Sequence, residues 1–281
     1  MSDIGGPGHA RLAELDRRIS QLGPRVTEAR LSGDPKTYEM IQGTERSRLA
    51  DLGIVLEGRS ECTFFISAQG RTYGHCRVNN RGRNTAIVLG PPHRAGCVIN
   101  VRVLRDNCAF VAVDLSRQSS KFTEVLMHEA DQMFYFGARA TAVSMFASIS
   151  GTGCHVAIGD DCMLSSHVMI RNYDMHTIFD IESGAVINGP PVNVVVERHV
   201  WIGQVVMLLN ATRVGYGSIV GAFSMLRGEA PACALLVGTP ARVLRTGVGW
   251  SRTPGNIAPP DKQFYATQAP RLAAQDGTET A

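Results

Sequence analysis

A single aliphatic side chain returns at every sixth position along much of this chain. Ile158, Leu164 and Ile170 keep that spacing, and after a gap Val196, Ile202, Leu208, Val214, Val220 and Leu226 resume it. Gly159, Gly203, Gly215 and Gly221 directly follow four of these positions. A helix repeats its apolar positions at about 3.6 residues and a strand at about 2, so neither explains a period of six. A short strand followed by a turn, repeated and stacked, does explain it, and this is the pattern of a parallel β-helix. The same beat read backward places Thr152, Phe146, Ala140 and Phe134 in phase. The gap, residues 171–195, carries Asp174-Met175-His176. One interruption with a histidine in an otherwise regular scaffold reads as an active-site loop.

The rest of the chain divides around this core. Residues 1–58 read as an N-terminal helical segment, since Leu12, Leu15, Ile19 and Leu22 share one helical face and Gly23-Pro24 ends it. A second helix is expected from about Thr37 to Leu52, after Gly33-Asp34-Pro35. From 59 to 245 the character is β, with short apolar runs such as Ala86-Ile87-Val88-Leu89 in irregular early coils. Residues 246–281, rich in Pro and Gly with a polar end, are expected to form an irregular, extended or disordered tail. Trp250, Phe264 and Tyr265 are the residues available to pin it to the body.

Charge and composition narrow the function classes. A net charge of +3 is too small to imply nucleic-acid binding by itself. Seven cysteines, an odd number with no CxxC, argue against a disulfide framework and favour a reducing, cytoplasmic compartment. The N-terminus is Gly-rich and polar rather than an apolar secretory leader, and no stretch approaches the roughly 20 apolar residues of a membrane span.

Four segments, in order, resemble the hexapeptide-repeat acyltransferases, and within them the sugar and polysaccharide O-acetyltransferases. They are Ile158-Gly159-Asp160-Asp161-Cys162-Met163-Leu164, Asp174-Met175-His176-Thr177-Ile178-Phe179-Asp180, His199-Val200-Trp201-Ile202-Gly203, and Gly238-Thr239-Pro240-Ala241-Arg242-Val243-Leu244-Arg245. Gly184 and Ile187-Asn188 fill further places of that pattern. The resemblance covers about 150–245 well, about 60–150 weakly, and neither terminus. It implies a left-handed parallel β-helix, a homotrimer with active sites between subunits, an acetyl-CoA donor and a saccharide acceptor. The hand comes from the resemblance alone, because generic chain chirality favours right-handed crossovers.

Acetyl transfer to a hydroxyl needs a base, and a histidine suits that task near neutral pH. His176 sits where the resemblance places the base. Asp174 is the candidate to orient its ring, and Asp180 and His167 are candidates for acceptor binding; each carboxylate is equally well read as a loop cap. Trp201 resembles the tryptophan that lines the donor and acceptor cleft. The resemblance implies that Ala222 leaves room for the donor's pantetheine arm along the coils and that Gln204 is among the donor-binding residues. Arg227, Arg242 and Arg245 match basic positions for its phosphates, which guanidinium groups bind through paired donors. The sequence departs from the pattern where Phe223 replaces a glycine and Arg227-Gly228 replaces a Thr-Lys pair. His199 reads as a surface corner residue.

Other readings are an N-acetyltransferase on an amino sugar and a non-catalytic β-helical scaffold. A zinc-dependent carbonic anhydrase of this fold needs two histidines five residues apart, and no pair among the eight has that spacing. No metal is expected. A covalent cysteine route is disfavoured because no cysteine lies in the loop.

Overall fold

The computed structural model describes residues 7–31, 38–67, 72–93, 97–116 and 122–276. The turn at Gly33-Asp34-Pro35 and the polar end from 277 lie outside them. The body is a stack of parallel coils with three faces. The first face carries Cys62–Ser67, Thr85–Leu89, Ala109–Ala112, Met133–Phe136, His155–Ile158 and Val194–Val196, each pairing in parallel with the next. The second runs from Ile54–Gly58 through Gly74–Asn80, Cys97–Val103, Phe122–Met127, Ser144–Ile149 and Val168–Arg171 to Met207–Val214. The third is built from Thr141–Ala142, Met163–Leu164, Trp201–Ile202, Ile219–Val220 and Ala234–Gly238.

The six-residue beat is the core. All nine aliphatics from Ile158 to Leu226 are buried, and they stack on one another coil by coil. Val196 lies beside Val214, Ile202 beside Val220 and Leu208 beside Leu226, so a coil here takes 18 residues. Each such side chain stabilises the stack by roughly 1.5–3 kcal/mol. Upstream the period differs. Phe136 lies beside Ile158, 22 residues later, and Ala86 beside Ala109, 23 later. The phase carried back to Phe134 therefore fails at two positions. Phe146 faces outward with Met145 and Ala147 buried on either side of it, and Thr152 is exposed in a turn. The extra residues of the early coils sit in the turns and erase the sixfold spacing.

The glycines serve space more than torsion. A Cβ on Gly203 would lie 2.6 Å from Ala222 N, and one on Gly159 would lie 2.8 Å from Glu197 C, both backbone atoms of the next coil. The left-handed corner positions are held by other residues, among them Asp161, His167, His199 and Phe223.

The N-terminal segment is only partly helical. Helix α1, Pro7–Ser20, buries Leu12, Leu15 and Ile19 against the outer side of the first face, on Phe65, Val88, Val111 and Tyr135. That face is thereby buried on both sides, which is why Thr85–Leu89 is a continuous apolar run rather than an alternating one. The stretch read as a second helix from Thr37 instead holds the strand Tyr38–Gln42 and the short helix α2, Arg46–Asp51. Tyr38–Gln42 pairs antiparallel with Cys62–Ser67 and closes an open sheet edge, which overrides its local helical pattern. Ala241–Thr246 closes the third face in the same way.

Residues 246–276 are ordered onto the body, in contrast to the expected extended tail. They contain helix α3, Pro259–Gln263, a π-helical turn, Phe264–Gln268, and helix α4, Ala269–Asp276. Trp250, Phe264 and Leu272 are buried. Their partners lie about 50 residues away along the chain, where composition does not reveal them.

Candidate functional site

The interruption 171–195 is a single arm inserted between the second and first faces, and its base is rigid. Asn172 is buried; its amide donates to Ser150 O and Val192 O, both at 2.8 Å, and its carbonyl accepts from Ser150 N at 2.8 Å. One side chain thus ties both legs of the arm to the preceding coil. Beyond the base, Phe179 and Val186 form an antiparallel bridge, and Ile187 N donates to Ile178 O at 2.8 Å. Asn188 braces the hairpin from inside, accepting from Ile178 N and donating to His176 O, each at 2.8 Å.

This bracing fixes the backbone at His176 and leaves its ring free. His176 is exposed, and among the described residues no hydrogen bond or ion pair engages its imidazole. Asp174 does not orient it. Its carboxylate pairs with the Arg227 guanidinium at 3.1 Å, tying the arm to the strand Met225–Ala230. Asp180 is a turn former: it accepts from the Ser183 hydroxyl at 2.7 Å and the Ser183 N–H at 2.8 Å, and these bonds hold its carboxyl below the usual range. Gly184, at φ 69°, completes that turn.

A second group of candidates gathers on one corner of the stack. His167, Gln204 and Ala222 lie on successive coils there, joined by Val205 N donating to Ser166 O at 3.0 Å and Phe223 N to Gln204 O at 2.8 Å. Trp201 lies just before this corner on the third face, with 36% of its surface exposed. Phe223 projects from the corner 69% exposed. Arg242 and Arg245 lie on the terminal strand Ala241–Thr246, opposite Val237 and Leu235, and are exposed. The Asp174–Arg227 pair thus ties the arm to the coils, and backbone bonds between successive coils join the corner group.

Sequence reasoning missed a third cluster. His199 is buried at another corner, not on the surface. Its Nδ1 lies 2.8 Å from Asp161 Oδ2, and its Nε2 lies 3.4 Å from Trp250 O and 3.9 Å from Asp261 Oδ1. Trp250 and Phe264 pack on its ring with centroids 4.5 Å away. Asp161, His199 and Asp261 have ligand-type atoms within 4.8 Å of one another. The two carboxylates face opposite ring nitrogens, however, and Arg252 enters beside Asp161. That is the arrangement of an ion-pair clamp rather than a coordination shell. The signals available in the sequence were Trp250, Phe264 and Tyr265 as pins, and all three rings pack on His199. All seven cysteines are free, and burial pushes the thiols of Cys62 and Cys162 up to about 12, consistent with packing roles.

No family model matches the chain. Its coils align with a solved structure, the polySia specific acetyltransferase NeuO, with a TM-score of 0.56 and 22% identity, covering 78% of this chain and 94% of that one. The fold is the left-handed β-helix of the acetyltransferases. Among curated proteins, this chain is 33% identical over 117 residues to the polysialic acid O-acetyltransferase of Escherichia coli O1:K1 / APEC, covering 42% of this chain and 38% of that one. It is 31% identical over 132 residues to the polysialic acid O-acetyltransferase of Neisseria meningitidis, covering 46% and 57%. The chain thus spans about two-fifths to three-fifths of the length of these relatives. No helix among the described residues is long and apolar enough to cross a membrane.

Proposed function

We propose that this chain is an O-acetyltransferase that moves an acetyl group from acetyl-CoA to a hydroxyl of a saccharide, acting as a cytoplasmic homotrimer. The observation that carries the proposal is an unengaged imidazole presented on a braced arm, in a fold whose sequence relatives are named O-acetyltransferases. The His176 imidazole takes the proton of the acceptor hydroxyl as its oxygen attacks the thioester carbonyl. The tetrahedral intermediate then collapses, the C–S bond breaks, and the imidazolium returns the proton to the departing thiolate.

The arm's apolar surface supports the trimer. Ile178, Phe179, Ile181, Val186 and Ile187 are all at least half exposed, a concentration of apolar surface that a partner would cover. In the trimer the arm of one protomer meets the corner column of the next. His176 then faces Trp201, Gln204 and Ala222 across the boundary, with the thioester between them. Arg242 and Arg245 suit the donor's phosphates. Arg227 serves the donor less, since Asp174 already holds its guanidinium; the pair's first role is to set the angle of the arm. Asp180 shapes the arm's tip, and His167 borders the acceptor.

Thiol release from acetyl-CoA across a panel of oligosaccharides tests this reading. His176→Ala is expected to lose about 10²–10⁴ in rate with folding unchanged. Undiminished turnover in that variant removes His176 as the base. A product stable to mild base is an amide rather than an ester, and points to an amino-sugar acceptor.

A further inference from the structure

Met175, the residue before His176, holds a torsion that its side chain resists. Its φ is 68°, and among the described residues it is the only non-glycine in the arm with a positive φ. The left-handed region crowds a Cβ against the backbone, so a methionine stays there only where its surroundings hold it. The arm's other left-handed residue, at φ 69°, is Gly184, which meets that torsion with no Cβ to crowd. In the coils, Asp161 and Phe223 take positive φ at corners, where the stacking repeats the bend. Met175 lies outside the coils, so no such stacking imposes its torsion.

Three contacts hold it instead. The Ser150 hydroxyl donates to the Met175 sulfur at 3.2 Å. Ser150 is buried in the preceding coil, and Asn172 pairs with both its N–H and its carbonyl. That hydroxyl therefore projects from a fixed backbone. On one side of Met175, Asp174 is tied to Arg227 at 3.1 Å. On the other, His176 O accepts from the Asn188 amide at 2.8 Å. Relaxing the torsion at Met175 pulls on all three contacts.

We propose that Met175 is a positioning residue for acetyl transfer: clipped to Ser150 in a strained torsion, it fixes where the His176 imidazole leaves the arm. A thioether is a weak acceptor, so the clip adds little to stability. Its effect is geometric. Displacing a reacting group by about 1 Å can cost about 10²-fold in rate, and the residue before His176 sets the direction of its Cα–Cβ bond. A glycine at 175 satisfies the torsion but leaves the arm free to swing. The inference rests on the reading of His176 as the base and adds the residue that aims it.

Four variants of the full chain test it: Met175→Gly, Met175→Leu, Ser150→Ala and the Ser150→Ala/Met175→Leu double. Met175→Gly accepts the torsion, so its urea midpoint is expected to be no lower than that of the wild type. Hydrogen exchange at Ile178 and Ile187, whose N–H groups are bonded within the arm, should speed up about threefold or more. In thiol release from acetyl-CoA its kcat should fall about 10–100-fold with KM for acetyl-CoA unchanged. Met175→Leu and Ser150→Ala each remove the sulfur contact and should each lower kcat about threefold. The double should fall no further, because both changes remove one interaction. A Met175→Gly kcat within about twofold of the wild type overturns the inference. So do losses that multiply in the double, or a fall in kcat matched by a lower urea midpoint. Exchange separates the clip from the reading beneath it. If the wild type releases no thiol, or His176→Ala releases it undiminished, the base reading fails and exchange alone decides. Faster exchange in Met175→Gly confined to the arm upholds the clip, and unchanged exchange overturns it.

Discussion

The N-terminal and C-terminal segments are both clamped to the same corner of the coil stack, by neighbouring residues that face opposite ways. Asp160 and Arg198 hold the N-terminal side. Asp160 accepts from the Thr27 hydroxyl at 3.1 Å and its N–H donates to Val26 O at 2.9 Å, while Arg198 N donates to Arg25 O at 2.7 Å. Asp161 and His199, one residue on in each coil, hold the C-terminal side through Trp250, Arg252 and Asp261. The first joint is made chiefly of backbone and hydroxyl groups behind a broad apolar helix contact. The second concentrates charge and aromatic stacking on one imidazole. Burial raises the Asp160 carboxyl above its usual range, with the Ala138 N–H and Thr27 hydroxyl opposing. Burial also pushes Asp161 upward, but the His199 hydrogen bond and the Arg252 charge together outweigh it and hold that carboxyl low. Adjacent aspartates thus respond to acid in opposite senses.

Substitutions that empty each joint should separate them most strongly. Trp250→Ala removes the ring on His199 and the bond from its indole N–H to His199 O at 2.8 Å. It is expected to cost about 3–5 kcal/mol and to free 250–276 from hydrogen-exchange protection while the coils stay protected. Leu15→Ala on the other side should cost about 2–5 kcal/mol, seen in denaturant unfolding, and expose the outer face of the Ala109–Ala112 strand. Equal loss of coil protection in both variants would mean that the two segments are not independent.

Acid should then divide the joints without mutation. Asp161, with its pKa depressed, contributes stability that is present above about pH 3.9 and lost as pH falls through its lower folded value. Asp160, with its pKa raised, contributes stability that is present below about pH 3.9 and lost as pH climbs through its higher folded value. Exchange followed from pH 6 to pH 3 should show the C-terminal segment loosening relative to the N-terminal one, and Asp161→Asn should shrink the difference to the part that Asp160 supplies. The smallest effect belongs to the exposed Glu28–Arg198 pair at 3.1 Å; Glu28→Ala should stay within about 0.5 kcal/mol in the same unfolding measurement.

The period of six was legible because an 18-residue coil repeats it without remainder, and every aliphatic of Ile158–Leu226 on that beat is in the core. Coils of 22–24 residues hide the same architecture, which is why Phe146 and Thr152 were misplaced although both lie within it. The arm was legible as a break in the rhythm. Its bonds were not: Asp174 meets Arg227 across 53 residues, and Asp180 accepts from the Ser183 hydroxyl. The C-terminal segment was misread because Pro and Gly report local chain preference, whereas its order comes from His199 and Arg252 meeting surfaces fixed elsewhere.

By itself the sequence determined the coil stack and the position of the one interruption, since both follow from where apolar side chains recur and where they stop. Only the tertiary structure decided which carboxylate pairs with which cation, that His199 is buried between two segments, and that Met175 meets Ser150. Those outcomes depend on residues far apart in the chain being brought within hydrogen-bonding distance, and no local periodicity records that.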